Sequence, residues 1–153
     1  MREMSLREIA RGSRGRRGHL SARELKRVKK RGYDAERELV KRLRRWGFQA
    51  LRVPVSAPSR EPLPDVFAVK GDTIIAFEVK SHERYAYYKR SQVSKLHEFL
   101  RIHQIYPKRV AVLAAKFKYR GWSFLIVDEP GDYSLKAGEG LSLNDLIRRI
   151  EKL

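Results

Sequence analysis

The stretch 64–80 constrains this chain more than any other. It reads Pro64-Asp65-Val66-Phe67-Ala68-Val69, then Lys70-Gly71-Asp72, then Thr73-Ile74-Ile75-Ala76-Phe77-Glu78-Val79-Lys80. Two runs of β-branched and aromatic residues separated by a Gly-Asp pair predict a β-hairpin. Side chains alternate along a strand, so Glu78 and Lys80 share a face with Ile74 and Ala76 while Ile75, Phe77 and Val79 point the other way. An acid and a base then lie about 7 Å apart along one face. Asp65 enters at the start of the first strand, where the antiparallel return can bring it beside Glu78. Two such carboxylates repel unless a cation sits between them, and hard oxygen ligands suit Mg²⁺ or Mn²⁺. The stretch therefore predicts a metal site.

The 153 residues, 42% hydrophobic, suit one domain with a core of its own. A formal net charge of +17 points to a polyanionic partner, nucleic acid before anionic membrane. No apolar run is long enough for a membrane span and no signal-peptide pattern opens the chain, so the expected location is cytoplasmic and nucleoid-associated. With no cysteine there is no disulfide framework or thiolate zinc site, and His19, His82, His97 and His103 are scattered. A charged fraction of 35% with two methionines resembles thermophile composition.

The charge is unevenly spread. Residues 1–31 carry twelve Lys or Arg against three Glu, or +9 of the +17. The Gly-broken piece 12–18 reads as flexible, with a helical turn or two over 21–30; a solvated tail and a phosphate-binding arm both fit. Residues 33–46 read as a helix with Ala35, Leu39, Val40, Leu43 and Trp46 inward, ended by Gly47. Glu36 falls on the same inward stripe, as a cap, as an Arg partner or as a third acid at the hairpin site.

Residues 48–53 read as a short strand. The four prolines within 54–64 then rule out regular structure, and Ser56, Ser59 and Arg60 suit phosphate contact, with ordinary turn chemistry the plainer role for Ser59. The run 84–90 interleaves Tyr85, Tyr87 and Tyr88 with bases; it fits equally a grip on nucleic acid and tyrosines packed on a sheet edge. Ser91 is expected to cap a helix to about His103, with Val93, Leu96, His97, Phe99 and Leu100 inward. Strands follow over 109–116 and 122–127, then a Gly-rich loop over 128–141. A last helix is capped at Ser142, with Leu143, Leu146, Ile147 and Ile150 inward. The order α-β-β-β-α-β-β-α predicts an α/β fold with a mixed central sheet flanked by helices.

Asp65 followed by Glu78-Val79-Lys80, with Glu36 on the preceding helix, resembles the PD-(D/E)xK nuclease superfamily. Gly32-Tyr33-Asp34-Ala35-Glu36-Arg37, Arg52-Val53-Pro54-Val55-Ser56, Leu63-Pro64-Asp65 and Lys89-Arg90-Ser91-Gln92 are similar, more closely, to the archaeal Holliday-junction resolvases of the Hjc type. The resemblance implies a restriction-endonuclease-like domain over 32–153 behind the basic extension 1–31. It implies a Mg²⁺-dependent endonuclease, with Mn²⁺ able to substitute, that resolves four-way DNA junctions by paired cleavage of opposed strands. Carried over, the metal-linked acids are Glu36, Asp65 and Glu78, joined by the Val79 carbonyl, with Lys80 as the lysine and Ser56 as the loop serine. DNA contacts fall to Arg37, Arg52, Ser59, Arg60, Lys89, Arg90 and Gln92. The resemblance also implies a homodimer with one nick per subunit, its apolar surplus expected on the sheet or on the helix bearing Leu96, Phe99 and Leu100. Tyr33 departs from the small residue usual after Gly32, and the extension before Gly32 is long.

Two other readings stay open. One is a different PD-(D/E)xK enzyme of repair or restriction type, for which the Ser56 loop and the Glu36-Arg37 pair are the discriminators. The other is a non-enzymatic basic nucleic-acid-binding protein, which explains +17 but leaves the converging acids without a purpose, since acids oppose polyanion binding.

Overall fold

A computed structural model describes residues 20–54 and 60–153. The first unit ends at Lys30, and its described part is the opening of helix α1 (Ala22–Arg45). That helix is longer than the turn or two expected over 21–30. Ser21 and Glu24 cap it reciprocally, the Ser21 amide donating to Glu24 at 2.8 Å and the Glu24 amide to Ser21 Oγ at 3.1 Å.

The second unit, Arg31–Leu153, holds the sheet. Its strands are β1 (Gln49–Arg52), β2 (Val66–Lys70), β3 (Thr73–His82), β5 (Lys108–Phe117) and β6 (Gly121–Ile126), in the order β1-β2-β3-β5-β6. Only β3 and β5 run parallel; their crossover carries β4 (Tyr85–Tyr88) and helix α2 (Arg90–Ile102). Strand β7 (Tyr133–Lys136) and helix α3 (Leu143–Glu151) complete the chain.

The alternation expected for 74–80 is what divides the interior. Ile75, Phe77 and Val79, with Val110, Val112 and Ala114 of β5, pack under Leu39 and Leu43 of α1 and Leu146 and Ile147 of α3. Ile74 and Ala76, with Ala111 and Leu113, pack on the opposite face under Val93, Leu96 and Leu100 of α2. Each fully buried Leu or Ile contributes roughly 1.5–3 kcal/mol of apolar burial. At its C-terminal end, α1 stops where predicted. Gly47 takes φ +88° and the Phe48 amide returns to the Leu43 carbonyl at 3.1 Å.

Two expectations change. The loop 128–141 contains β7, which pairs antiparallel with β4 as a separate two-stranded ribbon. Its single inward residue, Leu135, gives no periodicity to read, and its partner lies far away in sequence. Helix α2 is capped at Lys89 rather than Ser91: the Lys89 amide donates to Gln92 Oε1 at 3.0 Å, and the Arg90 amide to Asp132 Oδ1 at 2.8 Å. Leu96, Phe99 and Leu100 are themselves buried in the core, and the apolar exposure expected on the sheet or on their helix falls at Leu51 of β1 and Ile102 of α2, with Ile105 just beyond the helix.

Gly140 decides how the last loop closes. It sits at φ +79°, and a Cβ there would lie 2.7 Å from the Phe124 carbonyl oxygen, which already accepts from the Leu141 amide at 2.8 Å. Gly138 has a similar φ of +87° but open space around it. Gly140→Ala is expected to cost more than the roughly 1–2 kcal/mol of left-handed strain that Gly138→Ala carries. Denaturant midpoints of the two variants measure this, and equal losses would refute the steric account.

Candidate active site

The hairpin register builds the site. Val66 pairs with Phe77, so Asp65, one residue earlier, faces Glu78. Asp65 prolongs the ladder: its amide donates to the Phe77 carbonyl at 3.0 Å, and its carbonyl accepts from Val53 at 2.9 Å. Its side chain turns across the hairpin, Oδ2 accepting from the Val79 amide at 2.8 Å. The two carboxyls act on each other electrostatically. Burial holds the Asp65 pKa above the ordinary range against the opposing pull of the Val79 amide and Lys80. Glu78 stands well above it, through burial first and the charge of Asp65 second, with Lys80 and Lys95 opposing.

Lys80 lies two residues on along the same face, its Nζ 5.5 Å from the centroid of the Tyr88 ring. Burial lowers its pKa, the charge of Lys89 adds to the shift, and Glu78 and Asp65 resist it. Tyr88 is fixed from behind, its hydroxyl donating to the Ala114 carbonyl at 2.7 Å.

Glu36 arrives from α1, as its place on the inward stripe foretold, and is only 9% exposed. Its Oε2 accepts from Arg52 Nε at 2.5 Å, and the Arg52 guanidinium lies 4.4 Å over the Tyr33 ring. Burial and the charge of Asp65 raise its pKa to about 7, with Arg52 and Arg37 opposing. Among the described residues no three Asp, Glu, His or Cys side chains stand close enough to hold one ion. The expected third acid of a single cluster is therefore not assembled; Glu36 is engaged by Arg52 and reaches the pair through its charge.

The other expected residues divide. Ser56 and Ser59 lie outside the described residues. Arg60, Lys89 and Arg90 are exposed, and Arg37 is an exposed partner of Asp34 at 3.4 Å. Arg52 and Gln92, expected at DNA, serve the fold through Glu36 and the α2 cap respectively. His97 is half-buried and lines a separate cavity of about 360 Å³ with Arg109, Asp128 and Arg149. Sequence reasoning missed Tyr88 behind Lys80, Lys95, whose charge reaches Glu78, and the ion pair of Lys116 with Glu38 that ties β5 to α1. Only Tyr88 had a signal, since it alternates inward with Ala86 along β4.

Two half-buried carboxyls that face each other and are held above the ordinary carboxylate range form a hard-oxygen donor set that fits a divalent cation. Such an ion would supply the positive charge that lets both ionise.

The fold is that of the restriction-endonuclease-like nucleases. It is shared with the solved structure of Archaeoglobus fulgidus Hjc, a Holliday junction resolvase from an archaeal hyperthermophile, at TM-score 0.61 and 27% identity over 75% of this chain and 97% of that one. The sequence model of the archaeal Holliday junction resolvase (Hjc) family matches residues 27–153. Crossover junction endodeoxyribonuclease Hje of Saccharolobus solfataricus is 40% identical over 123 residues, 79% of this chain and 90% of that protein. Crossover junction endodeoxyribonuclease Hjc of Sulfurisphaera tokodaii is 31% identical over 129 residues, 80% of this chain and 90% of that protein. The chain belongs to the archaeal Holliday junction resolvase family.

A carboxyl with a folded pKa above its unfolded one binds its proton more tightly when folded, so its contribution to stability is largest at low pH and falls as pH rises toward the folded value. Glu36 places one such loss between its ordinary 4.5 and about 7, and Glu78 and Asp65 act in the same direction. In EDTA at pH 7.5, Glu78→Gln is expected to stabilise the protein, by about 1.4 kcal/mol for each pH unit that separates the folded from the unfolded pKa of Glu78. The gain should shrink as pH falls toward 4.5. Thermal midpoints of both proteins across that range provide the check, and a pH-independent difference would contradict it.

Proposed function

We propose that this chain is a Mg²⁺-dependent crossover junction endodeoxyribonuclease that works as a homodimer and cuts opposed strands of four-way DNA junctions. The observation that carries the reading is Asp65 facing Glu78 across the hairpin, with Lys80 two residues further on the same face. Family membership and relatives that bear the name crossover junction endodeoxyribonuclease support the reaction class.

Asp65 and Glu78 would hold the ion, with the Val79 carbonyl as a further ligand. When bound, it polarises the scissile phosphodiester and lowers the pKa of a water molecule, and Mn²⁺ can substitute. The Val79 amide keeps Asp65 aimed at Glu78. Lys80, held beside Tyr88, donates a hydrogen bond to the attacking water or to the phosphoryl oxygen as negative charge develops. Arg52 fixes Glu36, whose charge is felt at Asp65 and tunes the pair.

Arg37, Arg60, Lys89 and Arg90 are exposed cations that suit phosphate contact. Ser56 and Ser59 take the phosphate-facing role of their loop. Arg52 and Gln92 act on DNA indirectly, through Glu36 and the α2 cap. With DNA as substrate, the location is cytoplasmic and nucleoid-associated.

A junction offers two equivalent strands, and a two-fold dimer brings two sites related by the same symmetry. Ile102 and Ile105, beside the aromatic series Phe67, Phe99, His103 and Tyr106, give an apolar surface for the second copy.

The test sets a four-way junction against a matched linear duplex in Mg²⁺, and then a cruciform on a supercoiled plasmid. The junction alone should be cut, and the plasmid should yield linear product, which needs both nicks within one complex's lifetime. Asp65→Asn or Glu78→Gln should lower cleavage by about a thousandfold or more, the several kcal/mol that a metal contributes. Binding in EDTA should hold or tighten, because no basic group is lost. Equal cutting of linear duplex, or mainly nicked circles, would favour a general nicking nuclease.

A further inference from the structure

The tyrosine-rich run 84–90 is only partly accounted for by the site. Strand β4 divides it by face. Ala86 and Tyr88 are fully buried against the core, whereas Tyr85 and Tyr87 are 48% and 44% exposed on the outer face. Residues two apart on one strand face stand about 7 Å apart. That spacing is too wide for two bases of a stacked duplex and suits successive bases of an extended single strand.

The ribbon also sets their surroundings. Lys136 of β7 lies directly across from Tyr85 and Ser134 across from Tyr87, both exposed. Asp132, whose charge acts on the Tyr87 hydroxyl, also caps α2 through the Arg90 amide. At the start of β4, Arg84 lines a cavity of about 380 Å³ together with Lys118, Tyr119 and Arg120, which continues the cationic surface off the ribbon. Tyr88, between these exposed rings and Lys80, places this face within one strand's thickness of the active site.

We propose that the outer face of the β4–β7 ribbon binds unpaired nucleotides, with bases stacked on Tyr85 and Tyr87 and phosphates on Arg84 and Lys136. The charge favours this occupant: Arg84, next to Tyr85 in the chain, and Lys136, across from it, flank that ring, Lys118 and Arg120 join Arg84 around a cavity that Glu83 also lines, and stacking on tyrosine accepts any base. The inference extends the nuclease reading. At a branch point some bases lose their stacking partners, and a platform beside Lys80 gives them a new one, so that an opened branch is preferred over continuous duplex.

The test is fluorescence anisotropy in EDTA on a Asp65→Asn background, which makes it independent of cleavage. The probes are a labelled dT12 oligonucleotide, a duplex of equal length and a four-way junction. Tyr85→Ala/Tyr87→Ala should lose about tenfold or more in affinity for dT12, as expected for removing base-stacking rings. Junction affinity should fall as well, with duplex affinity and the salt slope unchanged because no cation is removed. Tyr85→Phe/Tyr87→Phe keeps both rings and should bind dT12 as the parent does, and it serves as the decisive variant if the alanine pair unfolds. Unchanged dT12 binding by the alanine pair, an equal loss on duplex, or a loss in the phenylalanine pair equal to removal of the rings would each overturn the proposal. A change of oligomeric state by sedimentation would also overturn it, since the face would then be an interface between copies. Failure of junction cleavage in the parent protein would leave this measurement standing and would count only against the nuclease reading.

Discussion

Everything in the unit Arg31–Leu153 depends on two carboxyls that would rather be apart. Asp65 and Glu78 are brought face to face by the register of a single hairpin and buried there, at a cost in electrostatic free energy that the rest of the fold must offset. The offset is visible beneath them. Phe77 and Val79 anchor the opposite face of β3 in the larger core, and β3 is the strand on which both cores converge. A slip of one residue would turn Glu78 and Lys80 into the apolar layer under α1 and expose Phe77 and Val79, so the core that pays the cost also fixes the register.

The surrounding charges follow a consistent electrostatic logic. A net charge of +17 attracts a polyanion, while an acidic pair at the candidate site repels the very phosphate it is proposed to cut. Neutralisation of that pair by a hard cation reconciles the two. Two acids of α1 are tied to cations: Glu36 to Arg52, and Glu38 to Arg42 and Lys116. These pairs join α1 to β1 and β5, so the helix bearing Glu36 is held to the sheet by charge as well as by Leu39 and Leu43.

The ribbon of β4 and β7 is a thin device with two functions. Its inner side, Ala86, Tyr88 and Leu135, closes the smaller core and backs Lys80. The outer side has no core to serve, which is why Tyr85 and Tyr87 are free to act as a surface. Asp132 sits by both, capping α2 through the Arg90 amide while its charge acts on the Tyr87 hydroxyl.

The sequence by itself determined the hairpin, the faces of its strands and the inward position of Glu36. It also determined the helix ends at Gly47 and Ser142, because period, turn chemistry and caps act between residues close in the chain. It carried enough motif spacing for the family as well. Tertiary structure alone decided that Glu36 would be met by Arg52 rather than close a three-acid cluster, that Asp132 would cap a helix far upstream, and that Leu135 would make a strand of an apparent loop. The same holds for the tyrosine run, where sequence allowed packing and display alike and the fold chose one for Tyr88 and the other for Tyr85 and Tyr87. Each of these outcomes joins residues distant in sequence, and which of several chemically adequate partners a side chain meets is fixed only when the packed core has set the elements' positions.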